Sequence, residues 1–175
     1  MPRIPYQPQD LAEPAELVAA IRARRGGQLL NLDRMLLHSP PFAQGWNAFL
    51  GAVRGALTLP ARLRELAICG VAVLNGAEYE FLHHAPEYRK AGGTAEQVDA
   101  LREFTALAEH PLFSAAERAV ARLTVEMTRS VRVSDATWAA AAAELPERQL
   151  VELVGVIASY NMVSRFLVAL GVEPE

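Results

Sequence analysis

Residues 59–93 read LPARLRELAICGVAVLNGAEYEFLHHAPEYRKAGG. Leu59-Pro60 opens a helix, about 60–74, because proline is well tolerated in a first helical turn and costly deeper. The run from Leu63 to Leu74 is almost wholly apolar, and Glu65 is its one carboxylate. A charge in such a run is costly without a partner. Asn75-Gly76 breaks the helix, and Glu78, Tyr79, Glu80, His83 and His84 then follow within seven residues. They begin a second helix, about 77–90, which Gly92-Gly93 ends. Most ionisable side chains that look placed rather than scattered lie on these two helices.

Beyond these two helices, every other segment also reads at helical period. Residues 1–10 hold three prolines and read as an extended arm. Asp10 is suited to cap a helix over 12–24 whose basic end favours the C-terminal dipole. A short apolar segment, 29–38, leads to Ser39-Pro40-Pro41. The helix this opens carries Phe42, Trp46, Phe49, Leu50 and Val53 on one face. Thr94-Ala-Glu-Gln97 and Ser114-Ala-Ala-Glu117 are capping boxes, for helices to about 104 and 129. Ser134 or Asp135 caps an alanine-rich helix to about 144, and Pro146 begins the last, to about 170. No alternating runs are joined by a hairpin turn. The expected fold is all-α, a helical bundle in one domain over 1–175: the arm 1–10, a core 30–104 and C-terminal helices 114–170.

A weak internal repeat runs through this pattern. Leu59-Pro60 leads to Leu74-Asn75, and Leu145-Pro146 leads at the same offset to Tyr160-Asn161. RELAI and VELVG also match after a slip of one residue. Helices apolar nearly all round must be buried, in a core or against another subunit. The second copy holds no histidine and no carboxylate pair, so the chemistry is expected in the first.

The bulk composition narrows the function. Apolar residues make up 51% and charged residues 21%, an ordinary globular balance. The net charge of −3 offers no basic patch for nucleic acid or an anionic membrane. Cys69 is the single cysteine, so no intrachain disulfide forms. MPRIPYQPQD lacks the apolar core of a signal peptide, and the longest apolar run, 66–74, is far short of the ~18 residues that span a bilayer. The expectation is a soluble cytoplasmic protein.

The candidate catalytic residues are Glu65, Tyr79, Glu80 and His84. Glu80 and His84 are four apart, on one helix face; His83 is also within reach of Glu80. A carboxylate beside an imidazole fixes its tautomer and raises its pKa. Glu65, across the Asn75-Gly76 turn, points to the same place in a relay of Glu65, Tyr79 or Glu80, and His84. Such pairs also occur as plain ion pairs on solvated faces, and Glu65 has Arg62 and Arg64 nearby. Cys69 reads as a small core residue. No HExxH motif and no cysteine cluster suggests a metal. Tyr79 and Tyr88 read as packing residues, Phe42, Trp46 and Trp138 as core or pocket roof, His38 as a helix-end cap and His110 as a loop residue.

RELAICGVAVLNGAEYEFLHH, with HSPPFAQGWNAFLGAV before it and LVGVIASYNMVSRFLVAL at the end, resembles the carboxymuconolactone decarboxylase and alkylhydroperoxidase D superfamily. The resemblance implies an all-helical fold that assembles as trimers or hexamers through apolar helices. Its peroxidase branch uses a Glu, a Cys-x-x-Cys pair and a His four residues after the second Cys. Here these places hold Glu65, Ala77, Glu80 and His84, so the dithiol is missing, and Cys69 matches neither position. A peroxidase needs a thiolate to attack and a second thiol to resolve. The decarboxylase branch needs neither cysteine nor cofactor, and implies proton transfer on a small lactone or carbonyl substrate. His84 is then acid or base, Glu65 orients or relays, and Glu78 holds an arginine or a neighbouring subunit. Alternatives are single-thiol peroxide chemistry at Cys69 and a non-catalytic oligomer that binds a small molecule.

Overall fold

Local punctuation in the sequence sets the helix boundaries in the computed structural model, which describes all residues, Met1–Glu175. The elements are α1 (Ala15–Arg24), α2 (Asn31–Leu36), α3 (Pro40–Gly55), α4 (Ala61–Asn75), α5 (Glu78–Lys90), α6 (Ala95–Ala100), a 3-10 stretch (Leu101–Glu109), α7 (Ala115–Ser130), α8 (Asp135–Glu144) and α9 (Glu147–Leu170). No residue is in a strand. The all-α fold is as expected.

Three local readings are corrected. Asp10 does not cap the first helix: Pro14 holds extended backbone, α1 starts at Ala15, and the Glu13 carboxylate accepts from the Ala15 N–H at 3.0 Å. The capping box of Thr94 and Gln97 forms, but α6 ends at Ala100 and tightens into the 3-10 stretch, where Glu103 leaves helical dihedrals. His38 caps no helix; its Nδ1 lies 3.1 Å from the Gln7 amide and its Nε2 2.7 Å from the Pro5 carbonyl oxygen.

The chain packs as two compact units, Met1–Ala56 with Leu167–Glu175, and Leu57–Phe166. In the first, the N-terminal arm is tied down. The Arg3 N–H donates to the Leu170 carbonyl at 2.9 Å, and the Glu173 N–H donates to the Tyr6 hydroxyl at 2.9 Å. Asp33, 1% exposed, faces Arg24 and Arg25. Trp46 is buried, whereas Phe42 is largely exposed.

The second unit holds the candidate site. α4 packs against α5, α7 and the 3-10 stretch. Gly76 takes a left-handed conformation (φ 66°), and the Ala77 N–H reaches back to the Ala72 carbonyl at 2.8 Å. This Schellman closure turns the chain sharply, so α5 folds back along α4. Gly70 lies where α4 meets the Phe104 ring; a Cβ there would overlap it. Arg62 ties the start of α4 to its neighbours, donating to Glu117 at 2.7 Å, the Gly92 carbonyl at 2.6 Å and Gln97 at 3.0 Å. The Tyr88 hydroxyl donates to the same Glu117 oxygen at 2.9 Å.

The two asparagines matched in the sequence repeat meet in the structure. Asn75 and Asn161, equivalent by offset, are hydrogen-bonded at 3.1 Å. The Asn75 amide also donates to Ser164 Oγ at 2.7 Å. By length and composition α9 is apolar enough to cross a membrane, but half of its most apolar window is buried within the protein. Trp138 in α8 is largely exposed.

Candidate functional site

α4 and α5 bring three buried ionisable side chains together: Glu65 is 5% exposed, Glu80 2% and His84 9%. The Asn75-Gly76 turn makes this possible, since it sets α5 against α4 with Glu65 facing the second turn of α5. His84 Nδ1 lies 2.6 Å from Glu65 Oε2, and His84 Nε2 lies 3.3 Å from Glu80 Oε2. As an imidazolium, His84 therefore has a carboxylate at each nitrogen. Glu65 Oε1 accepts from Arg64 Nε at 3.1 Å.

Two opposing effects act on these groups. Burial alone would lower the His84 pKa, but hydrogen bonds and charge from Glu65 and Glu80 outweigh it, and the net shift is upward. Burial would raise the Glu65 pKa, yet His84 and Arg64 hold it below the usual carboxylate range. Both shifts favour the charged pair. The arrangement is suited to holding a proton on an imidazole near neutral pH and passing it on.

The four sequence candidates divide. Glu65, Glu80 and His84 converge, with Glu80 facing the His84 ring. Tyr79 is engaged with His83: their rings stack with centroids 4.3 Å apart, and His83 Nδ1–H donates to the Tyr79 carbonyl at 2.8 Å. Neighbouring helical residues diverge by about 100°, so His83 and His84 leave α5 in different directions. Glu78 does hold an arginine, bidentate to Arg102 at 2.7 and 2.8 Å. His110 lies in the loop after the 3-10 stretch, as expected, and its Nδ1 accepts from the Leu112 N–H.

Cys69 is fully buried, and burial together with the negative charge of Glu65 and Glu80 pushes its thiol pKa well above the ordinary value. Single-thiol chemistry needs a thiol that is both accessible and ionised; this one is neither. No three His, Cys, Asp or Glu side chains are arranged to share a metal ion.

The reading of the repeat missed one residue. Tyr160, from the copy expected to carry no chemistry, places its hydroxyl 3.2 Å from His84 Nε2, with the two rings perpendicular at 5.0 Å. The available signal was a polar-tipped aromatic inside a nearly all-apolar helix, a residue type that seeks a hydrogen-bond partner when buried.

Comparison with known proteins accords with the all-α fold. Residues 40–126 match the model of the carboxymuconolactone decarboxylase family. Among solved structures, a peroxidase-related protein from Silicibacter sp. TM1040 superposes with a TM-score of 0.81 at 16% identity, over 99% of this chain and 90% of that one. An alkylhydroperoxidase AhpD core protein from Ralstonia eutropha JMP134 gives 0.81 at 17% identity, over 99% and 92%. A variant of the debrominase Bmp8, in complex with 2,3,4-tribromopyrrole, gives 0.81 at 16% identity, over 100% and 94%. At these identities the likeness is one of fold. No curated protein matches the chain in sequence. Residues 40–126 thus match the carboxymuconolactone decarboxylase family, on a fold shared with alkylhydroperoxidase D-like proteins, and the chain lacks the Cys-x-x-Cys pair.

Proposed function

We propose that this protein is a decarboxylase-like enzyme that works by acid–base chemistry on a small carbonyl or lactone substrate, with His84 as the proton carrier. The observation that carries the reading is the 2.6 Å contact between His84 Nδ1 and Glu65 Oε2 inside the protein. In decarboxylation, the electron pair of the breaking C–C bond passes to the adjacent carbonyl as an enolate. His84 Nε2–H then delivers a proton to the enolate carbon, and Glu65 stabilises the imidazolium before transfer and fixes the tautomer after it. Glu80, beside Nε2, is placed to help return the proton. A peroxidase cycle is disfavoured because Ala77 and Glu80 occupy the two thiol positions.

The depth of the cluster favours a second reading. Glu65, Glu80 and His84 are all under a tenth exposed, as in a structural ion network within a small-molecule-binding oligomer. A panel of small β-keto acids and carboxylated lactones, incubated in D2O and followed by proton NMR, separates the two. Deuterium incorporation or CO2 loss that disappears in His84→Gln supports the enzyme; no turnover of any member supports the network.

A further inference from the structure

The Nε2 side of His84 is faced by two oxygens of different kinds. Glu80 Oε2, at 3.3 Å, is on the same helix; the Tyr160 hydroxyl, at 3.2 Å, comes from α9. Around the ring stand Glu65 from α4 at Nδ1, Glu80 from α5 and Tyr160 from α9 at Nε2, Arg64 behind Glu65, and the neutral Cys69 thiol, whose pKa feels both carboxylates. Tyr160 is 1% exposed, so it reaches bulk solvent little.

The two oxygens differ in what they can do. An ionised carboxylate only accepts, so Glu80 serves Nε2 only while Nε2 carries a hydrogen. A phenol hydroxyl both donates and accepts. It can take a hydrogen bond from the imidazolium and, once that proton has left, turn and donate to the bare Nε2 lone pair. The rings pack perpendicular at 5.0 Å, and a phenol O–H turns about its own C–O bond, so the reversal requires neither ring to move.

We infer that Tyr160 is a positioning residue for His84, whose hydroxyl reverses its hydrogen bond as the imidazole loses and regains a proton, keeping Nδ1–H on Glu65 in both states. Any consequence for turnover rests on the acid–base reading above; the tautomer control does not. In the neutral ring one hydrogen must choose between Nδ1, facing Glu65, and Nε2, facing Glu80. A donor at Nε2 decides that choice for Nδ1. The second helical copy therefore completes the site that the first copy begins.

Two measurements test this. Nitrogen-15 shifts of His84, read above its titration, should report a nearly pure Nδ1–H tautomer in the unaltered protein. In Tyr160→Phe, which keeps the ring and removes only the hydroxyl, the preference for Nδ1–H should fall by about fivefold, the weight of one hydrogen bond. An unchanged tautomer ratio overturns the inference. In the unaltered protein, carbon-13 Cζ of Tyr160 should shift with the same midpoint as His84, and a flat response across that range also overturns it. Failure of these signals with turnover intact removes Tyr160 and leaves the acid–base reading. Intact signals without turnover of any panel member do the reverse.

Discussion

Glu65 and His84, nineteen residues apart in sequence, are joined by a 2.6 Å contact at a site that is almost sealed from water. The contact depends on a turn. Gly76, at φ 66°, ends α4 and sends α5 back along it, so a carboxylate near the start of one helix meets an imidazole in the middle of the next. Each group alone would be costly to bury as an ion; together with Arg64 and Glu80 they hold one another charged.

The pair predicts a stability profile with two falling edges. His84 has a raised folded pKa, so its contribution is complete below the unfolded value of 6.5 and is lost as pH rises through the folded one. Glu65 has a lowered folded pKa, so its contribution is complete above 4.5 and is lost as pH falls through the folded one. Denaturant midpoints should therefore be highest between those values. His84→Gln should flatten the alkaline edge; an alkaline edge as steep as in the unaltered protein would place its cause elsewhere.

Cys69 should behave as a core atom. With a fully buried side chain and a raised thiol pKa, it should react with an aromatic disulfide reagent only as fast as the protein unfolds. Rapid labelling under native conditions would reopen single-thiol chemistry.

Much of this is legible in the sequence, and the failures have physical causes. Prolines, glycine pairs and capping boxes act within a few residues, so α4, α5, α7, α8 and α9 begin and end, and α3 begins, close to where the local pattern puts them. The buried Glu65 announces its need for a partner by its apolar surroundings, and the His83-His84 pair on the following helix offers one; the fold selects His84. Tyr160 escapes such a reading because its partner lies 76 residues away, and no local pattern encodes such a contact. Tyr79 reads both as a relay candidate and as a packing residue, and spacing alone cannot say that its ring will stack on His83. The weak capping signal at Asp10 loses to Pro14, whose fixed φ sets the start of α1.

Gly70 is a packing requirement of α4 rather than a flexible joint. Gly70→Ala should destabilise the protein by about 1–3 kcal/mol, because the new Cβ collides with the Phe104 ring, itself buried and unable to yield. Thermal or urea unfolding checks this. A neutral or stabilising effect, as helix propensity alone would give, contradicts the packing described.

Val131, after α7, is a β-branched residue at φ 64° and largely exposed. Its side chain gains little from burial and its backbone is strained. Val131→Gly should raise stability by about 0.5–1 kcal/mol, the relieved strain exceeding the added chain entropy. A loss of stability in urea unfolding would mean that the valine makes contacts which outweigh the strain.

Glu65 is expected to hold a buried imidazolium at His84, which a nitrogen-15 NMR pH titration of that ring would report. The expected midpoint lies above 6.5 in the unaltered protein and falls in Glu65→Gln, where the partner at Nδ1 is no longer an anion. A midpoint at or below 6.5, or one that Glu65→Gln leaves in place, would contradict it.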